Sequence, residues 1–166
     1  MSAATVDRDA LAGDLGRGGY LRGTFAHGAS HWFQTEMVLA RPGVLARCAD
    51  LLAGAVDADA DRLAARGPVA VALATALALR TDLTLMLERD EGGFAGDAFP
   101  GARVVLVEDV VMTGAHALES VARLRDAHLD VRRVLAVVDR EAGGAYAVEE
   151  AGVPVTVLYR ERELLP

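Results

Sequence analysis

The chain has 166 residues, 52% of them hydrophobic, which is enough to bury a sizeable core in one domain. Its 24 acidic residues outnumber 17 basic ones, and the net charge of −7 argues against a general nucleic-acid binder or a protein held to anionic membranes by charge. Every basic residue is Arg, with no Lys, and the single Cys, Cys48, excludes a disulfide framework within the chain.

Residues 1–17 lack a basic-then-apolar leader pattern, and the apolar run 69–79 is too short to span a bilayer, so a soluble, cytoplasmic protein is expected. Residues 7–15 read as a short helix stopped by Gly16, Gly18 and Gly19. Residues 21–34 alternate aromatic and small polar side chains, which predicts two short strands with a turn at Gly28-Ala29. An amphipathic helix is expected over 42–56, started by Pro42, with Val44, Leu45, Cys48, Leu51 and Leu52 on its apolar face. Residues 57–61 read as a solvated acidic turn. Residues 62–66 form a weak strand candidate. The Ala-rich run after Gly67-Pro68 favours a helix from about Val69, although 68–73 also reads as a strand.

A strand is expected over 83–88. The segment 88–99 then carries three glycines, and reads either as a mobile lid or as a plain exposed turn. The most informative stretch follows: Val104-Val105-Leu106-Val107-Glu108-Asp109-Val110-Val111-Met112-Thr113-Gly114-Ala115-His116. A buried strand ends in two adjacent acids, a short loop follows, and a helix over 114–127 is expected to bury Leu118, Val121, Ala122 and Leu124. Backbone N–H groups from Val110 to His116 are placed to form an anion nest backed by a helix N-terminus. Thr113 adds a hydroxyl, and Gly114 permits close approach. Glu108 and Asp109 suit sugar hydroxyls, which donate hydrogen bonds, and a hard cation such as Mg²⁺. Further on come a buried strand over 131–138, Asp139-Arg140 at its end, a helix over 145–151, a strand over 155–159 and a short tail.

The stretch 104–116 resembles the binding motif for 5-phospho-α-D-ribosyl 1-diphosphate (PRPP) in type I phosphoribosyltransferases. Phe25, Gly28, Ser30 and Phe33-Gln34 resemble the N-terminal hood of the orotate phosphoribosyltransferases, and Asp139-Arg140 followed by Gly143 is similar to their orotate-binding turn. The resemblance implies an α/β fold: an open, mostly parallel twisted sheet flanked by helices, in a single domain over 1–166 with a small hood at 20–40 and a core at 42–160. It implies a glycosyltransferase joining orotate to PRPP, with Mg²⁺ as cofactor, PRPP and orotate as small-molecule partners, and a homodimer.

The residues it implies are Glu108 and Asp109 in catalysis, with Asp109 meeting Mg²⁺ through PRPP. Glu108, Asp109, Val110, Val111, Met112, Thr113, Gly114, Ala115, His116 and Arg89 would meet PRPP. Arg140, Met112, Phe25 and Ser30 would meet orotate. An Arg fork matches a planar carboxylate in a way that Lys does not.

Departures from the family pattern are visible. Met112 stands where the family has a Thr that contacts orotate. Thr35 and Glu36 stand where a basic residue is usual. Gly67-Pro68 lacks the Gly-Gly of the pyrophosphate loop. The lid segment has Arg89 as its one basic residue, leaving Arg80, Arg89 or Arg103 as replacement cations. Two readings are therefore open: an active transferase with a reduced lid, or a relative that binds PRPP or a nucleotide as a sensor or partner subunit.

Overall fold

The computed structural model describes residues 6–22, 31–89 and 91–165. Helix α1 (Arg8–Gly19) leads into two short antiparallel strands, β1 (Tyr20–Arg22) and β2 (His31–Phe33), paired Tyr20 to Phe33. Helices α2 (Thr35–Leu39) and α3 (Pro42–Ala53) follow, then β3 (Arg62–Ala65), α4 (Pro68–Thr81), β4 (Thr84–Glu88) and a short β5 (Phe94–Ala95). The second half runs β6 (Arg103–Val111), α5 (Ala115–Asp126), β7 (Asp130–Asp139), α6 (Gly144–Glu150), β8 (Val155–Arg160) and α7 (Glu161–Leu164).

The main sheet has the order β5-β4-β3-β6-β7-β8, with only β5 antiparallel. It is buried on both faces, as the continuous Val/Leu runs predict for parallel strands. Leu63, Ala65, Val105, Val107, Leu135 and Val137 point to one face, against α1, α3 and α4. Ala64, Val104, Leu106 and Val134 point to the other, against α5 and α6. The alternation follows from the two-residue repeat of a strand. Each fully buried Leu contributes roughly 1.5–3 kcal/mol relative to exposure. Cys48 lies in the first core, where burial pushes its thiol up to about 12. No helix among the described residues is long and apolar enough to cross a membrane.

Several local expectations are corrected. Helix α1 does not stop at Gly16 but continues through Gly19, because its glycines are sites of close approach. A Cβ on Gly16 would lie 2.4 Å from the Leu164 carbonyl oxygen, and one on Gly19 would lie 2.2 Å from the Phe33 ring. The C-terminal segment is not a bare tail: α7 is closed by a capping box through Glu163, and Leu164 is buried against α1. Helix α2 has no counterpart in the expected elements.

The helix reading of the run after Gly67 holds, with Pro68 in its first turn. Helix α5 buries Ala117, Ser120, Val121 and Leu124, an i, i+3, i+4, i+7 stripe. That leaves Ala122 outside and Leu118 at the margin. The acidic turn is ion-paired rather than simply solvated: Asp57 meets Arg133 at 3.0 Å and Asp61 meets Arg103 at 2.8 Å. The Arg103 hydrogen bonds hold the Asp61 carboxyl well below the usual range. Segment 91–99 folds as a hairpin arm, with β5 on β4 and the Arg62 guanidinium reaching Asp97 at 2.7 Å.

Candidate functional site

Strands β3, β4, β6, β7 and β8 are parallel, so their C-terminal ends share one edge of the sheet, where open α/β sheets bind ligands. At that edge lies a cavity of about 320 Å³ lined by residues 108–117. The PRPP-like stretch forms its wall. Strand β6 extends through Val111, and Val110 and Val111 still pair with Val138 and Asp139. They are therefore ladder residues, and the loop proper, Met112-Thr113-Gly114, is shorter than the nest expected from Val110 onward. Gly114 adopts φ +79°, a left-handed turn that favours glycine, and its carbonyl starts α5 by accepting from the Leu118 N–H at 2.8 Å.

The two acids, adjacent in sequence, part company in space. Successive strand residues face opposite sides. Glu108 is 2% exposed and turns towards α5, where His116 Nδ1 stands 3.3 Å from its Oε1. Burial raises the Glu108 carboxyl above its ordinary value, partly offset by His116. Asp109 is half-buried and faces the other way, where it accepts a hydrogen bond from the Thr35 hydroxyl at the start of α2.

His116 joins a second group that the sequence reading missed. The Arg66 Nε–H donates to His116 Nε2 at 2.8 Å, so in this arrangement Nε2 is an acceptor and the ring is the neutral Nδ1–H tautomer. The Glu108 hydrogen bond nevertheless draws the His116 pKa upward, against burial and Arg66. Arg66 also meets Glu88 at 3.3 Å and Glu119 at 2.9 Å, and Arg123 meets the same two acids at 3.1 and 2.5 Å. The Glu88 side chain is 1% exposed, so this charge is desolvated and depends on its Arg partners. The available signal was an Arg placed directly after a buried strand.

The proposed replacement cations fall differently. Arg103 starts β6 at the opposite edge and is bound to Asp61, and Arg80, in the last turn of α4, pairs with Asp50 at 2.7 Å. Neither is at the site. Arg89 remains at the ligand edge, exposed immediately after β4.

Arg140 follows β7, and its N–H donates to the Val111 carbonyl at 2.8 Å, next to the loop. Its side chain is 10% exposed and stands 2.7 Å from Glu161. Glu141 pairs with Arg162 at 3.1 Å. Met112 is partly exposed at the cavity. Phe25 and Ser30 lie outside the described residues.

Gly144 brings the two loops together. Its N–H donates to the Met112 carbonyl at 2.9 Å, and a Cβ there would lie 2.5 Å from the Gly114 nitrogen. Among the described residues no cluster of three or more His, Cys, Asp or Glu side chains could hold a metal ion. Asp109 is a hard oxygen donor at this edge that a cation carried on a ligand's own oxygens would meet.

A parallel sheet in this order, with paired acids and a short glycine turn before a helix at its ligand edge, defines a type I phosphoribosyltransferase fold. No family profile matches the chain. Over 146 residues, 82% of this chain, it is 32% identical to the orotate phosphoribosyltransferase of Pyrococcus furiosus, covering 80% of that protein. The chain belongs to the orotate phosphoribosyltransferase family. The match to the Aquifex aeolicus orotate phosphoribosyltransferase is 48% identical over 66 residues, 40% of this chain, and spans only 36% of that relative. The crystal structure of the Mycobacterium tuberculosis orotate phosphoribosyltransferase in complex with PRPP superposes with a TM-score of 0.84 at 25% identity, covering 96% of this chain and 99% of that one.

Proposed function

We propose that the chain transfers ribose 5-phosphate from PRPP to orotate, giving orotidine 5'-monophosphate and pyrophosphate. The observation that carries this reading is the cavity at the strand ends, whose wall is the acid pair and the Met112-Thr113-Gly114 turn. The loop N–H groups and the start of α5 would take the 5-phosphate. Asp109 would accept from the ribose hydroxyls. Glu108, held by His116, would add negative charge beneath the ribose as it becomes cationic. Arg140 would take the carboxylate of the base, with Met112, Phe25 and Ser30 around it. Mg²⁺ bound to the pyrophosphate would supply charge neutralisation on the leaving group. Arg66 and Arg89 are among the chain's own cations on that side.

The alternative of a binding-only sensor has less support, because the curated relatives are named as the transferases. The test is to incubate the protein with PRPP, Mg²⁺ and a panel of bases. Orotidine monophosphate should form from orotate and be lost on chelation with EDTA. Folded protein giving no product above a no-enzyme control would overturn the transferase reading.

The chain is read as one domain over 1–166, hood 20–40 and core 42–160, acting in the cytoplasm as a homodimer. Helix α4 supports the dimer: it is apolar nearly all round, and its outward side carries Leu79, 81% exposed, with Ala72 and Thr75 also exposed. Light scattering should give twice the chain mass, and Leu79→Arg should shift it towards the monomer. A monomeric wild type would remove the proposal.

A further inference from the structure

We propose that Thr35 is a positioning residue for Asp109, tying the segment that follows the hood strands to the ribose acid. The inference rests on the ribose-phosphate reading of the site. Thr35 is 4% exposed, and its hydroxyl donates to Asp109 Oδ2 across 74 residues of chain. Neither group belongs to the other's local structure, so the bond spans two separately built elements.

The donor is held from several sides. Just before it, the Gln34 N–H donates to the Gly19 carbonyl at 2.8 Å, and the Phe33 ring lies against Gly19 where a Cβ would stand 2.2 Å away. Just after it, Val38 and Leu39 are buried in the first core. Val38 lies against Gly18, where a Cβ would meet its side chain at 2.7 Å. The acceptor is equally fixed, because its neighbours Glu108 and Val110 are paired with Ala136 and Val138 of β7.

A hydroxyl has one proton to give, and a carboxylate has about four acceptor sites on its two oxygens. Thr35 therefore sets the rotation of the Asp109 carboxylate by engaging Oδ2, and leaves acceptor capacity on Oδ1 for a sugar hydroxyl. A carboxylate without this bond must be ordered by the ligand itself, at a cost in affinity. The consequence is specific: the bond acts on ribose-phosphate affinity, through Asp109.

The test measures PRPP and ribose 5-phosphate binding by calorimetry, with the KM for PRPP where turnover is seen. Thr35→Val keeps the side-chain shape and removes the donor. It should weaken binding of both ligands about tenfold, the lower end of what a hydrogen bond to a charged group supplies. Thr35→Ser keeps the donor and should stay within about twofold of wild type. Should Thr35→Val not fold, Thr35→Ala serves as the donor-free variant. In an Asp109→Asn background, Thr35→Val should add little, the non-additivity expected of groups that act through one another.

Wild-type affinity in the donor-free variant would overturn the inference, as would equal weakening by Thr35→Ser or full additivity with Asp109→Asn. Wild-type protein that binds neither ligand would overturn the ribose-phosphate reading itself, and this inference with it.

Discussion

Arg140→Ala is expected to raise the KM for orotate about a hundredfold, roughly 2.8 kcal/mol of binding, while leaving PRPP affinity within about twofold. The selectivity follows from position. The Arg140 backbone is tied to the end of β6 through the Val111 carbonyl, but its side chain turns towards the end of β8, where Glu161 stands 2.7 Å away. The phosphate turn is built from other residues and keeps its geometry when the guanidinium is removed.

At 10% exposure the guanidinium has lost much of its hydration, so a second carboxylate entering beside it meets a charge that water screens poorly. Glu161 already balances one unit of that charge, so the orotate carboxylate would either share the fork or displace Glu161. Glu161→Gln removes the competitor and separates these roles. Tighter orotate binding in that variant marks Glu161 as a competitor, and weaker binding marks it as the residue that aims Arg140. Steady-state kinetics in both substrates, with a thermal melt to check folding, decides the main point. Equal losses for orotate and PRPP in Arg140→Ala would show that Arg140 supports the fold near the loop and does not read the base.

What the sequence made legible was whatever depends on short-range pattern. The apolar run 104–107 ending in Glu108-Asp109 gave strand, loop and helix in the right places. The Val/Leu density of β6 and β7 gave a sheet covered on both faces. Interactions between distant residues were not legible. Gly16, Gly18 and Gly19 read as helix stops because glycine lowers helix propensity. Their packing against Leu164, Val38 and Phe33 outweighs that local preference.

Charge was misplaced for the same reason. Arg80 and Arg103 looked available because nothing local binds them, yet Asp50 meets Arg80 once α3 and α4 pack together, and Asp61 meets Arg103 once β3 and β6 pair. Arg66 looked like the end of a weak strand, and the fold sets it among His116, Glu88 and Glu119. The acid pair shows the limit most clearly. Adjacent letters could not show that the strand's alternation gives the two acids different partners, His116 for Glu108 and Thr35 for Asp109.

Gly144→Ala should produce the largest combined loss, because it attacks the contact on which both halves of the site depend. A Cβ at this position would lie 2.4 Å from the Met112 carbonyl oxygen and 2.5 Å from the Gly114 nitrogen. These are backbone atoms, so no side-chain rotation relieves the clash, and the loops after β6 and β7 must separate. Overpacking of this kind costs about 1–3 kcal/mol, which for a chain of this size lowers Tm by roughly 3–10 °C. The effect on PRPP use should be larger, about a hundredfold in kcat/KM, because displacing positioning groups by about an ångström costs that much in rate, and the Kd for PRPP should rise with it.

Gly143→Ala is the matching control. Gly143 has φ +86°, so alanine there carries backbone strain, but nothing lies within 4 Å of the new methyl group. It should lose stability and keep PRPP affinity. If Gly144→Ala binds PRPP as the wild type does, or if Gly143→Ala loses as much affinity, the Gly114–Gly144 contact is not what holds the phosphate turn in place.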